Sequence, residues 1–523
     1  MPFALPGLLY KAVQKLTILK IILMHFRLIC FSLIASIGFY ACSGGGNTSG
    51  KDSTAASKTN TPGSADLQTT RLGDLTLESG YPSEEATNRL YDERDFQRAC
   101  QVHTWALPMV GFHALHLAQR DQIGVKDGDV ALFFNLEDKK GMLTPNITTL
   151  YAFSFWDLSK RGALVVDAPA GLIAGGVLDL WQQPITDIGQ TGPDKGTGGK
   201  YLILPPGSPD VKAPGYRVYK SPTAQVWFGT RGLDPDPRKA EETVRQHKIY
   251  AWADRAKPAP TNYVPVAGKP WTSAHPTDMS YFKLVAEALD AEPVQARDRV
   301  IYGMLVSLGI EKGKPFNPDA RMTKIFNEAA MVGELTARVN AYDKRFKGAK
   351  VWEGRNWEYA NMVELNQEDS SYTQIDQRAS WFYEAIGNST GMQGRVLGFG
   401  QAYLETSKDK DGHWLEGAKN YKIHIPADVP ARQFWSITLY DNVTRYPVVT
   451  DQGSADISSR KDIDKNADGS VDVYFGPSKP NGSNRNYIKT ISGRGWFPYF
   501  RFYGPGEKYF DKTWALEDIV EIR

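Results

Sequence analysis

The chain has 523 residues, of which 41% are hydrophobic and 23% are charged, and its 61 Lys and Arg nearly balance its 59 Asp and Glu. This length predicts two or three domains of a soluble protein. The near balance of charge argues against a nucleic-acid partner, since nucleic-acid binders usually carry a clear basic excess. Of the three cysteines, only Cys100 lies in the body of the chain, so we expect neither an internal disulfide nor a Cys-based zinc site.

The N-terminus has the features of a bacterial export signal. An apolar run at 28–40 follows Arg27 and has the length of a signal h-region, whereas a membrane span needs about 20 apolar residues. The run ends at Ala41-Cys42-Ser43, which resembles the lipobox at which a cysteine is acylated and the signal removed. We therefore expect residues 1–42 to be a signal peptide and Cys42 to be lipidated, with Met24 as an alternative start. A plain signal peptide and an uncleaved anchor are the alternatives.

Residues 43–74 follow as a predicted flexible tether, because their first part is rich in Ser, Gly, Thr, Asn and Lys and nearly free of apolar residues. A lipid on Cys42 would attach the protein to a membrane of the cell envelope. Ser43 rather than Asp after that cysteine favours the outer membrane of a Gram-negative cell.

Three segments follow the tether. Residues 75–235 contain β-prone runs bounded by Pro and Gly and predict a β-rich domain, with a helix from Asp92 to about Leu107 that Pro108 is expected to bend or end. Residues 236–390 open with a helix-start signature and carry apolar residues at helical spacing, so this segment is predicted to be mainly helical. Residues 391–523 return to β-prone runs and predict a β-sandwich-like domain.

The last domain allows a prediction of register. In the run 499–503, Tyr499, Arg501 and Tyr503 should share one face of a strand, with Phe500 and Phe502 on the opposite, buried face. The fold class predicted for the whole chain is α+β, mainly β, with two β-sandwich or jelly-roll-like domains and a mainly helical segment between them.

Several anchor motifs resemble two families that occur together. The N-terminal half resembles DUF1254, and the C-terminal half resembles DUF1214. The N-terminal motifs are Thr144-Pro145-Asn146-Ile147-Thr148-Thr149-Leu150-Tyr151, Asp157-Leu158, Trp181-Gln182 and the glycine-rich run from Gly192 to Tyr201. The C-terminal motifs are Asp411-Gly412, Leu415-Glu416-Gly417, the run from Phe434 to Asp441, the run from Asn466 to Asp472, Trp496, and Arg501-Phe502-Tyr503-Gly504-Pro505.

The resemblance covers roughly residues 75–523. It implies two β-rich domains with helices between and around them, and it implies no established activity. The chain departs from the family at Asn146-Ile147-Thr148-Thr149, where many members carry Asn-Asn-Asp-Thr. An acidic role at that Asp therefore does not transfer to this chain.

Two motifs suggest chemistry but have simpler explanations. Gly387-Asn388-Ser389-Thr390-Gly391 matches G-x-S-x-G, yet a helix-like segment precedes it and a β-like segment follows, the reverse of a nucleophile elbow. We therefore favour a helix-ending turn over a hydrolase motif. Asp464, Asn466 and Asp468 resemble a calcium loop, but no Glu closes it and a strand follows at once, so we favour a hairpin turn and predict no cofactor.

Three histidines in the first helical region, His103, His113 and His116, invite a metal site. They lie beside apolar residues and no Glu completes a zinc motif, so we interpret them as buried, hydrogen-bonded side chains and expect no metal.

The predicted ligand-binding residues come from the family motifs. Asn146 and Tyr151 have side chains that hydrogen-bond ligands, Trp181 can stack on a ring, and Arg501 can pair with an anion. All four can equally be fold determinants. No pair of residues has the spacing that identifies a general base, so the catalytic residues are unknown.

Three functions are compatible with these residues. The first is an envelope enzyme, a hydrolase or lyase, that acts on a small or sugar-like molecule in a cleft between the two β domains. The second is a non-catalytic, surface-located ligand-binding protein. The third is a structural component of the envelope, in which a homo-oligomer is a further alternative.

Overall fold

The computed structural model describes residues 66–480 and 485–522. The predicted signal peptide, Cys42 and the tether as far as residue 65 lie outside these residues. Apart from Asp66 and Glu78–Tyr81, the described residues belong to one compact unit.

Regular structure begins within the range assigned to the tether. Three short strands precede the first helix: β1 Asp66–Thr70, β2 Gly73–Glu78 and β3 Tyr81–Pro82. Within the described ranges, no helix is both long enough and apolar enough to span a bilayer.

The N-terminal half forms a sandwich of two β-sheets. Its strands are β4 Val130–Phe133, β5 Leu150–Asp157, β6 Leu164–Ala168, β7 Ile173–Asp179, β8 Pro184–Gly189, β9 Gly199–Leu204, β10 Tyr216–Lys220, β11 Gln225–Gly232, β12 Lys248–Ala251 and β13 Tyr263–Pro265. One sheet has the order β13-β4-β5-β11-β7-β8 and the other β10-β9-β6-β12. Short helices α1 Leu136–Lys139, α2 Leu158–Arg161 and α3 Pro237–Val244 connect or flank the strands.

The larger sheet is buried on both faces, as β5 illustrates. Leu150, Ala152 and Trp156 point into the core between the two sheets. Tyr151 and Phe153 point to the other face and join the core formed by the helices. Every residue of β5 is therefore buried, and the outer face of this sheet is covered by helices rather than by water.

The helical layer consists of αA Glu84–Leu117, which a π-helical turn at Ala118–Ile123 extends, together with α4 Ser280–Ala291, α5 Arg299–Ser307, α6 Ala320–Tyr342 and α7 Ile375–Glu384. Short 3-10 turns occur at Trp252–Asp254, Ala296–Asp298 and Thr390–Met392. The helix αA packs against α4, α6 and α7.

Pro108 does not end the first helix. The helix begins at Glu84, capped by Ser83, and continues through Pro108 to Leu117. Pro108 has no backbone N–H to donate to the Thr104 carbonyl, and the burial of the surrounding turns retains the helix there; the Gln182 side chain also donates to the Pro108 carbonyl. The strands β12 and β13, which lie within 236–390, pair with β6 and β4 and so extend the N-terminal sheets.

The C-terminal half is a second two-sheet sandwich. Its elements are β14 Glu358–Tyr359, β15 Gln401–Glu405, β16 Asn420–Ile425, β17 Ala431–Asp441, β18 Asp456–Ser458, β19 Val471–Gly476, β20 Tyr487–Lys489, β21 Trp496–Pro505, the short helix α8 Glu507–Phe510 and β22 Val520–Ile522. The sheets have the orders β14-β15-β21-β17-β18 and β20-β19-β16-β22. The predicted α+β class, with more strand than helix and two sandwiches, is confirmed.

The predicted register of β21 is also confirmed. Phe500 and Phe502 are fully buried in the core between the two C-terminal sheets. Tyr499 and Arg501 point to the opposite face, which looks away from this core. This outward face carries the polar residues discussed next.

Candidate functional site

An internal cavity of about 80 Å³ lies between the larger N-terminal sheet and strands β15 and β21 of the C-terminal sheet. The segment from Trp381 to Met392 supplies a further wall. The polar lining includes Thr144, Tyr151, Thr191, Thr230, Arg231, Ser389, Gln401, Tyr403, Tyr499 and Arg501, and the apolar lining includes Met142, Phe153, Leu178, Trp227, Trp381, Ile386 and Met392. One part of the cavity can therefore solvate an ion while another favours apolar groups.

Two arginines reach the cavity from different sandwiches. Arg231 lies on β11 opposite Tyr151 of β5, and Arg501 lies on β21 between Tyr403 of β15 and Ser436 of β17. Arg501 is 2% exposed and Arg231 is partly buried. Both sit on central strands, so the sheets hold their backbones rigidly.

Neither guanidinium has a counter-ion. Arg231 donates to the side-chain oxygen of Gln401, and Arg501 donates through Nη2 to the Thr144 carbonyl oxygen at 2.8 Å. Among the described residues, no Asp or Glu oxygen lies within 4.0 Å of either guanidinium, and Arg501 Nη1 is buried without a hydrogen-bond partner. Buried charges in proteins are normally paired, so this arrangement is unusual.

Tyrosines surround the two cations. The Arg501 guanidinium lies 4.9 Å from the ring centre of Tyr499 and 5.5 Å from that of Tyr403, and the Arg231 guanidinium lies 4.8 Å from that of Tyr151. Burial lowers the pKa of both guanidinium groups, but the tyrosine hydroxyls raise it more, and the net shift is upward. Burial also raises the pKa of Tyr403 and Tyr499. At neutral pH the site thus holds two cations among neutral hydroxyl groups.

The buried Lys139 side chain is a third cationic group and lies next to Tyr151. Lys139 Nζ is 4.8 Å from the Tyr151 ring centre, on the same ring that Arg231 contacts, and it donates to the carbonyl oxygens of Asn146 at 3.1 Å and Thr149 at 2.6 Å. Burial lowers the pKa of Lys139 to about 7, while Asp456 opposes and Arg231 adds to the decrease. This side chain can gain or lose a proton near neutral pH.

A buried carboxyl group adjoins Tyr499. The Tyr499 hydroxyl donates to Glu384 Oε2, and Glu384 Oε1 is buried without a partner. Burial raises the pKa of Glu384 to about 7, against the opposing effects of Lys344 and of the Tyr499 hydrogen bond. Glu384 itself is outside the cavity lining, so Tyr499 stands between it and the cavity.

The structure brings three of the four predicted ligand-binding residues to this region. Tyr151 and Arg501 line the cavity. Asn146 is adjacent but fully engaged: its backbone N–H donates to the Tyr151 hydroxyl at 2.8 Å, its side-chain oxygen accepts from Thr148 and Thr149, and its amide nitrogen donates to Ser436 at 3.2 Å. Asn146 thus holds the turn before β5 and positions Tyr151.

Trp181 lies elsewhere. Its ring packs 4.8 Å from that of Trp105 in the helical core, and the guanidinium groups of Arg297 and Arg378 lie 5.4 and 5.5 Å from it. It is 3% exposed and does not line the cavity. Its neighbour Gln182, between β7 and β8, connects the N-terminal sandwich to the segment after α7, because its side chain accepts from the Gly387 N–H at 2.6 Å.

The G-x-S-x-G motif forms part of the cavity wall but not a nucleophile elbow. The helix α7 ends before it and a 3-10 turn follows it, which confirms the interpretation as a helix-ending turn. Ser389 and Gly391 line the cavity. Asp187, whose pKa burial raises to about 6, accepts from the Gly391 N–H at 3.1 Å and so ties this segment to β8.

The calcium-like loop forms a turn before β19. The Asn466 N–H donates to the Ser470 carbonyl at 2.9 Å, and the Asp468 carboxylate accepts from the Ser470 N–H at 3.0 Å. In the described part of the chain, no three His, Cys, Asp or Glu residues are grouped as metal ligands would be.

The three histidines differ from one another. His116 bonds Asp127 at 2.6 Å, as expected of a buried histidine, and His113 lies 3.8 Å from Glu287. His103 is buried and stacks on Tyr281, but neither ring nitrogen has a hydrogen-bond partner among the described residues, which corrects the expectation for this residue. Burial lowers the pKa of His103 to about 3, so its ring is neutral.

Sequence reasoning missed Arg231, Gln401, Tyr403 and Glu384. Arg231 and Glu384 are far in the chain from each other and from the neighbouring Gln401 and Tyr403, and no short motif contains all four. Arg231 follows the β-prone run 225–229, and no local pattern there indicates a buried cation.

The fold and the cavity define a two-sandwich α+β protein with a cationic internal site. Comparison with protein families then identifies its two parts. Residues 131–251 match DUF1254 and residues 400–507 match DUF1214, each described as a protein of unknown function. The predicted resemblance is thereby confirmed, with the two domains in the expected order. Arg231 lies in the first matched range and Arg501 in the second.

The chain is similar to solved structures at low sequence identity. The VPA0106 protein from Vibrio parahaemolyticus is 14% identical, with a TM-score of 0.53, over 82% of this chain and 100% of that chain. A protein from Burkholderia cenocepacia is 12% identical, with a TM-score of 0.38, over 84% of this chain and 96% of that chain. No curated protein matches the sequence.

Proposed function

We propose that this protein binds a small organic anion in the cavity, with the anionic group on Arg231 and Arg501. The single observation that carries this proposal is the pair of guanidinium groups that reach one cavity without a carboxylate partner. Each is held on a central strand of a different sandwich.

The physical argument starts from the cost of burying charge. An ion moved out of water is costly unless an opposite charge or several hydrogen bonds compensate for it. Arg501 has one bonded partner, a carbonyl oxygen, and one buried nitrogen without any. A carboxylate or similar anion supplies the missing charge and accepts from the planar guanidinium fork.

The rest of the lining favours an organic ligand. Leu178, Trp227 and Ile386 form apolar walls beside the cationic part. The volume of about 80 Å³ excludes a polymer, and an acid as large as benzoate fits only if side chains of the lining adjust. A compact acid with one anionic group and an apolar body matches both parts of the cavity.

A thermal-shift series tests the proposal. Benzoate should raise the Tm of the protein with increasing concentration, because a ligand that binds only the folded state stabilises it. Benzamide, which has the same shape without the charge, should raise the Tm less, and so should acetate, which lacks the apolar body.

The variant Arg501→Gln should lose the benzoate shift, whereas the matched control Arg432→Gln, an exposed arginine on β17, should keep it. Equal shifts in both variants would contradict the assignment of the anion to Arg501. A flat response to every acid would contradict the proposed function and favour the structural role in the envelope.

An envelope enzyme, a hydrolase or lyase, is the second candidate function. It is favoured by the pKa values of Lys139 and Glu384, both about 7, because general acids and bases work best near the ambient pH. Nuclear magnetic resonance spectra of an added acid, recorded over time, distinguish the two candidate functions. An unchanged ligand supports a binding protein, and signals of a product support an enzyme.

The proposed location is the cell envelope, with the protein anchored by a lipid on Cys42. The support is the sequence alone, namely the apolar run and the lipobox-like Ala41-Cys42. Mass spectrometry of the native protein should find Cys42 as the first residue with the added mass of acyl chains. An unmodified N-terminus beyond Ser43 would contradict it.

A further inference from the structure

The second observation at this site is the hydrogen bond between the Tyr499 hydroxyl and Glu384 Oε2. The Tyr499 hydroxyl has a single hydrogen, and a Glu384 carboxylate takes it as the acceptor. While Glu384 is a carboxylate, which only accepts, Tyr499 cannot also donate to a ligand in the cavity that it lines.

We infer that an anion entering the cavity draws a proton onto Glu384, so that the site takes up an organic anion and a proton together. This inference rests on the proposed function and names a property of the same site. Once protonated, Glu384 donates to the Tyr499 oxygen, and the Tyr499 hydrogen turns to the anion beside Arg501. The bond between the two residues persists with donor and acceptor exchanged.

Electrostatics act in the same direction. An anion on Arg501 lies beside Tyr499, whose hydroxyl bonds Glu384, and a second negative charge nearby disfavours the carboxylate form. Burial already raises the pKa of Glu384 to about 7, so little further shift is needed for protonation near neutral pH.

The charged and titratable groups that act on Glu384 come from several elements. Lys344 and Tyr342 lie at the end of α6, Glu358 on β14, Arg445 after β17 and Tyr499 on β21. Lys344 is itself paired with Glu405 on β15, and Glu358 with Lys350. Glu384 differs from these groups in that its carboxyl group bonds Tyr499, which lines the cavity, and its Oε1 is buried without a hydrogen-bond partner among the described residues.

Lys139 is the competing proton acceptor. Its Nζ lies near the Tyr151 ring, which the Arg231 guanidinium also contacts. An anion in the cavity would raise the pKa of Lys139 above its value of about 7. An experiment must therefore separate protonation of a carboxyl group from protonation of an amine.

Isothermal titration calorimetry with benzoate at pH 7.5, in buffers of different ionisation enthalpy, measures the protons taken up per ligand. We expect uptake of a large fraction of one proton by the wild type and by Lys139→Gln, and none by the double variant Lys139→Gln/Glu384→Gln. Tyr499→Phe should bind benzoate more weakly, because the hydroxyl donor is missing. Equal uptake by Lys139→Gln and by the double variant would overturn the inference.

Infrared difference spectroscopy of the wild type provides an answer that does not depend on any variant folding. Benzoate binding should produce a new C=O band of a protonated carboxyl group, and its absence would overturn the inference. Benzoate binding without proton uptake contradicts the inference alone. Failure of benzoate to bind the wild type contradicts the proposed function and this inference together.

Discussion

Two buried clusters of charge in this protein are compensated in opposite ways. Lys344 and Glu405 form an ion pair in which both side chains are nearly inaccessible, at 1% and 2% exposed. Arg231 and Arg501 instead meet carbonyl, amide and tyrosine oxygens and no carboxylate. The first cluster is electrically complete within the chain, whereas the second lacks an anion.

This difference distinguishes a structural role for the Lys344–Glu405 pair from the proposed binding role of Arg231 and Arg501. A paired buried charge fixes the packing of its neighbours. Removal of one partner leaves the other charge buried without compensation, which lowers the stability of the fold. An unpaired buried cation next to a cavity destabilises the empty protein and stabilises the occupied one. Variants of the two clusters should therefore respond differently, and the following predictions test that contrast.

The largest effect is expected at the compensated pair. Lys344→Ala should lower the free energy of unfolding by about 3–5 kcal/mol, because it leaves the Glu405 carboxylate buried without its partner. Urea denaturation monitored by tryptophan fluorescence measures this change. The double variant Lys344→Met/Glu405→Leu is the control and should recover most of the loss; a double variant as unstable as the single one would refute the role of the charge.

The pH dependence of stability should report Glu384. Its folded-state pKa is raised from 4.5 to about 7, so the folded protein holds an extra proton between these values. The stability that this group contributes is fully present below pH 4.5 and is lost as the pH rises through 7, by on the order of 3 kcal/mol. In urea titrations at several pH values, Glu384→Gln should lack this decline. Parallel curves for the two proteins would contradict the assigned pKa.

At the uncompensated cluster, the stability of the empty protein should barely change. Arg501→Gln loses one hydrogen bond to Thr144 but also removes a buried unpaired charge, so the free energy of unfolding should stay within about 1 kcal/mol of the wild type or rise. The same urea assay applies, without any added acid. A loss comparable to that of Lys344→Ala would show that Arg501 is a fold determinant.

The smallest effect is expected at the apolar wall. Ile386→Ala removes contact with the apolar body of the ligand and should weaken benzoate binding severalfold, which corresponds to about 1 kcal/mol. Affinity for acetate, which has no such body, should not change. Calorimetry with the two acids measures both, and equal losses for both would place the ligand elsewhere.

The sequence predicts much of the architecture because its patterns are local. The alternation along 499–503 is enough to place Phe500 and Phe502 in the core and Arg501 on the opposite face. The helix through Pro108 is different, since its continuity depends on tertiary burial and on Gln182, which local propensity does not include.

The candidate site is harder to predict because it is assembled from distant residues. Arg501 and Tyr151 belong to recognisable motifs. Arg231 and Glu384 come close to the cavity only because the fold brings β11, β21 and the end of α7 together. Trp181 also belongs to a recognisable motif, and its ring lies in the helical core, which is compatible with the alternative that it is a fold determinant.

The position of the two arginines on separate sandwiches has a consequence for inheritance. A chain that carried the first matched segment alone would keep Arg231 and lose Arg501, and one that carried the second alone would do the reverse. Neither half alone could then hold the proposed anion between two guanidinium groups. Separation of the two segments by gene fission would therefore abolish the proposed site in a single event.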